Sequence, residues 1–189
     1  CFSLTAFASA AEITADGGSA TSNVTLSSTA DGSLNGDSAA TAMSVTVPTV
    51  LPIAVGTDGT VTTATDAKII NNSFGAVKVD SVTIDAARNW YLTAFGDKST
   101  LAHEKVDSNK FGFAISIGGG DMMATNNSNE DTQALISAPI AGCFMTGVGN
   151  QNGNSVAVNY DAIVTPLSNA VTNATVANVV FIVEWDTAA

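Results

Sequence analysis

Residues Phe111–Ile117 read Phe-Gly-Phe-Ala-Ile-Ser-Ile, and this stretch gives the clearest indication of the fold. Large apolar side chains occupy every second position, which is the period of a β-strand with one face in the core. The same period recurs at Met43, Val45 and Val47, and at Val156, Val158 and Tyr160. About nine or ten short strands at intervals of roughly ten residues are predicted, which is typical of sandwiches and barrels. The expected fold is therefore all-β, a single jelly-roll or immunoglobulin-like β-sandwich.

Turn signals separate these strands. Asp58-Gly59 lies between two apolar runs and predicts a hairpin turn, because Gly accepts the positive φ that a tight turn demands. Pro48 and Pro52 predict that the region of the first strand lies at a sheet edge or crosses between sheets. Residues 97–109 hold much of the charge and are expected to contain one helical turn. Residues 118–133 are predicted to form a long polar loop.

A change of phase predicts a β-bulge in one strand. Val77 and Val79 are in phase with each other, and so are Val82 and Ile84, but the two pairs are out of phase. One extra residue in a strand shifts the facing of everything beyond it. A bulge near Asp80-Ser81 is therefore expected to return both pairs to the same face.

The first 42 residues differ from the rest of the chain. Residues 1–42 are interpreted as a leader remnant or an N-terminal donor arm with a Gly/Ser/Thr-rich connector, and residues 43–189 as the β-sandwich domain. Cys1–Glu12 is apolar, contains several small residues and resembles the end of a secretory signal, with cleavage expected after Ala10. Two alternatives stay open: the segment is removed, or it is retained and its apolar side chains are covered. Either one predicts export to the extracellular cell surface.

The charge and the apolar runs of the chain limit the kinds of partner that it is expected to bind. The chain has 17 acidic and 6 basic residues, a net charge of -11, which repels nucleic acid and anionic lipid surfaces. No apolar run approaches the roughly 18 to 20 residues needed to span a bilayer. Neither a nucleic-acid partner nor a membrane span is expected.

Catalytic and redox chemistry is sparse. His103 is the single histidine and lies in no recognisable catalytic motif, so no enzyme is predicted. The two cysteines, Cys1 and Cys143, leave two readings open. One is a leader cysteine with a separate buried thiol, and the other is a Cys1–Cys143 disulfide between subunits of a polymer.

One loop offers hard oxygen ligands. Asp121, Asn127, Asn129 and Asp131 lie close together in sequence and carry the oxygen atoms that Ca²⁺ prefers. Calcium is the one cofactor considered for this chain, and no other is expected.

Seven short motifs carry a family resemblance. They are Ser44–Pro48, Leu51-Pro52, Asp58–Val61, Ala67–Ser73, Val77–Val79, Asn89–Leu92 and Ala177–Phe181 with Trp185-Asp186. With them the chain resembles secreted surface proteins of Gram-positive anaerobes and, more loosely, biofilm fibre proteins of the TasA and camelysin group. The resemblance implies a jelly-roll sandwich that assembles into filaments. The triplet Trp90-Tyr91-Leu92 is also similar to that of cell-wall-binding WxL domains.

The expected function is that of a filament subunit, in a pilus or biofilm fibre. Residues 1 to about 28 are predicted to add a strand to the sheet of the next subunit, giving a head-to-tail homopolymer. The predicted contact residues are Phe2, Leu4, Phe7, Val24 and Leu26. The alternative is a monomeric cell-surface adhesin or glycan-binding module, with cell wall or host glycans as partners and with Trp90 or Trp185 exposed.

Overall fold

The computed structural model describes residues 42–150 and 152–187, which form an almost entirely β structure. Two mainly antiparallel sheets share one apolar core, so the predicted all-β sandwich is confirmed. The choice between jelly-roll and immunoglobulin-like topology stays a prediction. So does the division at residues 42 and 43, because residues 1–41 lie outside the described part of the chain.

The first sheet contains six strands. They are β1 (Val45–Thr46), β4 (Lys68–Asn71), β6 (Tyr91–Leu92), β7 (Lys110–Ile117), β8 (Met123–Ala124) and β11 (Ser155–Val164). Their order is β1-β4-β11-β7-β6, and β8 also pairs with β7. The strand β6 runs parallel to β7, whereas the other pairs are antiparallel.

The second sheet contains four strands. They are β5 (Val77–Ala86), β9 (Thr132–Ile136), β10 (Phe144–Met145) and β12 (Ala177–Trp185). The strand β5 lies between β12 on one side and β9 and β10 on the other. The strands β2 (Ile53–Val55) and β3 (Val61–Thr63) form a separate hairpin, and the helical elements are α1 (Ser99–Ala102) and a 3-10 turn (Ala141–Cys143). The described residues thus hold twelve strands instead of nine or ten, because four pairings are two residues long.

The stretch that indicated the fold lies at the centre of the first sheet. The strand β7 pairs with β11 along its length, and every residue from Phe111 to Ile117 is buried. Its second face is covered too. A Cβ at Gly112 would lie 3.0 Å from the carbonyl oxygen of Ala94, and Ser116 Oγ donates a hydrogen bond to the oxygen of Gly120 at 2.7 Å. The sequence predicts one buried face for this strand, whereas both of its faces are buried.

The predicted bulge is confirmed at its predicted place. In the pairing of β5 with β12, Ser81 faces Ile182 and Val79 faces Val183, which leaves Asp80 without an opposite residue. The four apolar side chains on either side of the bulge, Val77, Val79, Val82 and Ile84, are all 0% exposed. One extra residue thus keeps a ten-residue strand facing the core along its whole length.

The Asp58-Gly59 hairpin is also confirmed. Gly59 has φ +76, and Thr60 donates two hydrogen bonds to the Asp58 carboxylate. These bonds, led by the one from the Thr60 hydroxyl and assisted by Lys98, lower the pKa of Asp58 to about 2. Behind the hairpin, the Tyr160 hydroxyl donates to the carbonyl of Pro52 at 2.7 Å and anchors the hairpin to β11.

Among the other local predictions, the helical turn and the edge strand are confirmed, and the long polar loop is wrong. The predicted helical turn within residues 97–109 is present as α1, and β1 lies at a sheet edge as the prolines indicated. Residues 118–133 are not a continuous loop, because they contain β8 and the first two residues of β9. Thr125 Oγ1 accepts a hydrogen bond from Phe113 N at 2.9 Å, so a polar residue does part of the pairing there. Strands held by polar side chains lack the apolar period that sequence analysis detects.

Deletion of Asp80 tests the importance of the bulge. Removing one residue turns Val77 and Val79 out of the core, and at about 1.5 to 3 kcal/mol for each buried side chain we expect the free energy of unfolding to fall by about 3 to 6 kcal/mol. The matched control is Asp80→Ala, which keeps the residue count and removes a carboxylate that makes no bond within the described residues. Urea denaturation measures both. Equal stability of the deletion and the control would contradict the assignment.

Candidate assembly edge

The strand β12 forms a long open edge of the second sheet. It is hydrogen-bonded to β5 and to no other strand among the described residues. At about 3.4 Å per residue its nine residues span about 30 Å. In an antiparallel pair, alternate residues turn their N–H and C=O groups away from the partner. The strand therefore presents a row of backbone donors and acceptors that a further strand can bind.

The core-facing side of β12 is incompletely covered. Val179, Phe181, Val183 and Trp185 pack against the apolar core, yet each is only partly buried. Their cross-strand partners on β5, which are Ile84, Val82, Val79 and Val77, are all 0% exposed. Burial of the apolar side chains therefore decreases from β5 to β12. One more strand beside β12 would cover the apolar surface that is still exposed.

The devices that usually protect a sheet edge are missing from β12. Natural edges carry Pro, Lys, inward-pointing charges or bulges that discourage pairing with another chain. The one charged residue of β12 is Glu184, which points outward and pairs with Lys78 at 3.6 Å. The other outward positions include Val180 and Ile182, which are 43% and 48% exposed. Nothing in β12 itself opposes the addition of a strand.

The other open edges of the described residues are shorter or protected. The strands β1, β6, β8 and β10 have two residues each, and Pro48 follows β1. The strand β9 has five residues and itself carries the extra residue of a bulge, since Val82 faces Ile136 and Thr83 faces Ala134, which leaves Leu135 unopposed. The side chain of its buried Gln133 accepts a hydrogen bond from the backbone N–H of Asn126 and donates one to the Asn126 carbonyl. This edge is therefore already bonded to the loop between β8 and β9. The longest unprotected edge is thus β12.

The chain enters the sandwich at the end where β12 stops. Ser44 N donates to Ser73 Oγ at 2.8 Å, and Asp186 N donates to the carbonyl of Ala76 at 3.0 Å. Ser73 and Ala76 belong to the same turn between β4 and β5. At the tip of this turn Phe74 is 81% exposed. Ser44 therefore lies at the same end of the domain as the C-terminal end of β12.

The predicted arm contacts cannot be placed. Phe2, Leu4, Phe7, Val24 and Leu26 lie outside the described residues, and so does Cys1. Their role stays a prediction.

Cys143 is buried at the end of the 3-10 turn. It is 0% exposed, and burial raises the pKa of its thiol. The turn is pressed against the end of β7, since a Cβ at Gly142 would collide with the carbonyl oxygen of Ile117. Cys143 therefore matches the buried-thiol reading. The disulfide with Cys1 stays a prediction, and it would require Cys143 to become exposed.

The four residues considered for calcium are exposed. Asn127 Oδ1 accepts hydrogen bonds from Thr93 Oγ1 and from Ala94 N, both at 2.8 Å, so this oxygen already has two partners. Asp121 and Asp131 flank β8 and lie in no group of three or more His, Cys, Asp or Glu side chains suited to a metal ion within residues 42–150 and 152–187. Calcium binding stays a prediction.

The aromatic residues are placed differently from the adhesin expectation. Trp90 and Trp185 are each partly buried against the core, and neither presents an open platform. Tyr91, between Trp90 and the buried Leu92, is instead 58% exposed. The alternation of side chains along β6 was the sequence signal that could have singled out Tyr91.

Comparison with known proteins adds no neighbour. No protein-family model, curated protein or solved structure matches the chain. The resemblance to fibre proteins therefore stays a prediction. Within the described part of the chain, no helix combines the length and apolar character required to cross a bilayer.

Burial of Cys143 predicts a slow thiol. Because its pKa is raised, less of it is thiolate at mildly alkaline pH than of an ordinary cysteine, and the surrounding side chains block access. We expect iodoacetamide to modify Cys143 slowly in the native protein and quickly in urea. Mass spectrometry of the peptide that contains Cys143 measures both rates. Rapid native labelling, or a reducible Cys1–Cys143 cross-linked peptide, would contradict the buried, unpaired thiol.

Proposed function

We propose that the chain is a structural subunit of an extracellular filament, in which residues 1 to about 28 of one subunit add a strand to β12 of the next. The observation that carries the proposal is the edge itself. Among the described residues, β12 has backbone groups without a partner strand along nine residues, no protective charge or proline, and a half-covered row of core-facing apolar side chains. Such an edge is the acceptor that strand addition requires.

The energetics favour a stable contact. An added strand pairs with the free backbone of β12 and brings its own apolar side chains beside Val179, Phe181 and Val183. Burial of the five arm residues, Phe2, Leu4, Phe7, Val24 and Leu26, contributes roughly 7 to 15 kcal/mol at about 1.5 to 3 per side chain, before the cost of ordering the segment. Backbone hydrogen bonds along β12 would add to this apolar contribution.

The geometry favours a chain of subunits over a closed dimer. A donated arm and a β12 edge are different surfaces, so each subunit offers one of each, and such a heterologous contact builds an open filament whenever the rotation between subunits does not close a ring. Ser44 lies at the C-terminal end of β12, so an arm that precedes it would start from that end of the domain. The stretch from about residue 29 to residue 42, rich in Gly, Ser, Thr and Ala, then serves as the connector between adjacent subunits.

The finer parts of the proposal rest on sequence. A jelly-roll topology and a kinship with biofilm fibre proteins follow from the motifs that carry the resemblance. The cell-surface location follows from the signal-like start and from a composition in which 12% of the residues are charged while Ser, Thr, Asn and Gly are abundant. Both agree with a protein built to assemble outside the cell.

Matched variants of β12 test the acceptor. Val183→Lys places a charge on the core-facing row that the added strand must cover, whereas Ile182→Lys places the same charge on the 48% exposed outer face of the neighbouring position. We expect Val183→Lys to abolish filaments in electron micrographs and light scattering, and Ile182→Lys to retain them. Thermal unfolding of both variants checks that the sandwich is intact. Filaments formed equally by both variants would refute β12 as the acceptor.

Mixing two defective subunits tests the head-to-tail arrangement. A chain without residues 1–28 keeps the acceptor and lacks the donor, while Val183→Lys keeps the donor and lacks the acceptor. Alone, each is expected to be monomeric. Together they can form one intact contact, so we expect a 1:1 heterodimer and nothing longer by size-exclusion chromatography with light scattering. Homodimers of either variant, or no complex in the mixture, would exclude strand donation from this arm.

A further inference from the structure

The geometry points to a second site: we propose that a cleft beside β6 binds a neutral oligosaccharide. The cleft has a volume of about 520 Å³ and lies between β6, α1 and the loop that joins β8 to β9. Its volume falls within the roughly 300 to 1,000 Å³ typical of ligand pockets. It belongs to the first sheet, whereas the assembly edge β12 belongs to the second, so the site does not depend on the proposed filament.

An exposed tyrosine forms one wall of the cleft. Tyr91 is 58% exposed, while its neighbour Leu92 is buried and holds β6 against the core. The Tyr91 N–H donates to the carbonyl of Asn109 at 2.9 Å, so the backbone that carries the ring is fixed. Its hydroxyl has no partner among the described residues. A tyrosine ring offers an apolar face to the C–H groups of a sugar and a polar tip to its hydroxyls.

Charge in the cleft is balanced. Lys110 lies opposite Tyr91 in the parallel pairing of β6 with β7, and its Nζ contacts Glu104 Oε1 at 2.7 Å. The pair is neutral as a unit, and both side chains remain more than a third exposed, so each can still bond a ligand hydroxyl. An anionic ligand would find no uncompensated cation in this lining and would meet a chain of net charge -11. A neutral ligand with donors and acceptors fits better.

The lining of the cleft also holds an amide in a fixed orientation. Asn127 Oδ1 accepts from Thr93 Oγ1 and Ala94 N, which turns its Nδ2 group away from these donors, and Nδ2 has no acceptor among the described residues. Asn129, two residues later, has φ +57 and adds a second exposed amide. An oriented donor loses little freedom when it binds, so less binding energy is spent on ordering. The stacking ring, the neutral ion pair and the two amides together match a polyhydroxylated sugar.

Binding by the full-length chain tests the proposal. The probes are trisaccharides of glucose, of galactose and of N-acetylglucosamine, with sialyllactose as the anionic comparison, measured by isothermal titration calorimetry at millimolar concentrations. We expect at least one neutral trisaccharide to bind, and Tyr91→Ala and Asn127→Ala each to weaken the dissociation constant about tenfold, equivalent to about 1.4 kcal/mol. Tyr91→Phe, which keeps the ring, is expected to retain most of the affinity.

The matched control is Phe74→Ala, which removes an aromatic ring that is 81% exposed on a different turn. It should leave sugar binding unchanged. The proposal is overturned if no neutral trisaccharide binds, if sialyllactose binds more tightly than the neutral sugars, or if Tyr91→Ala and Phe74→Ala behave alike. Tyr91 is exposed, so an unchanged thermal unfolding midpoint confirms that a loss of binding is local.

Discussion

The bulge at Asp80 is the constraint on which the second sheet depends. The strand β5 is the one strand of that sheet with partners along both edges, so β9, β10 and β12 are all placed by it. Four of its side chains are 0% exposed, and they face the core together because a single residue is left unopposed. The facing of β12, and with it the half-covered apolar row of the assembly edge, follows from that one irregularity.

Much of this architecture was predictable from local chemistry. The phase change in β5 and the Asp58-Gly59 turn are properties of a few adjacent residues, and both were predicted correctly. The buried second face of β7 was not predicted. It is covered by segments outside the strand, such as those at Ala94 and Gly120, and the apolar period of β7 contains no information about them. Strand β8, held by Thr125, lacks an apolar period and was taken for loop.

The candidate sites follow the same division. Whether β12 lies inside a sheet or at its edge is decided by tertiary pairing, which no window of sequence contains. The cleft is still harder to predict from sequence, because Tyr91, Glu104 and Asn127 come from three separate segments of the chain. The adhesin alternative predicts an exposed ring at Trp90 or Trp185, whereas the exposed ring is that of Tyr91, the residue after Trp90.

The single charge on β12 has a consequence for how the proposed filament would respond to its surroundings. Glu184 is already paired with Lys78, so the contact along the edge consists of backbone hydrogen bonds and apolar side chains, and dissolved ions have little there to screen. The strongly acidic subunits still repel one another at a distance. Salt would therefore act on the filament through this repulsion and hardly through the edge contact, so that fibres would form faster in brine than in fresh water.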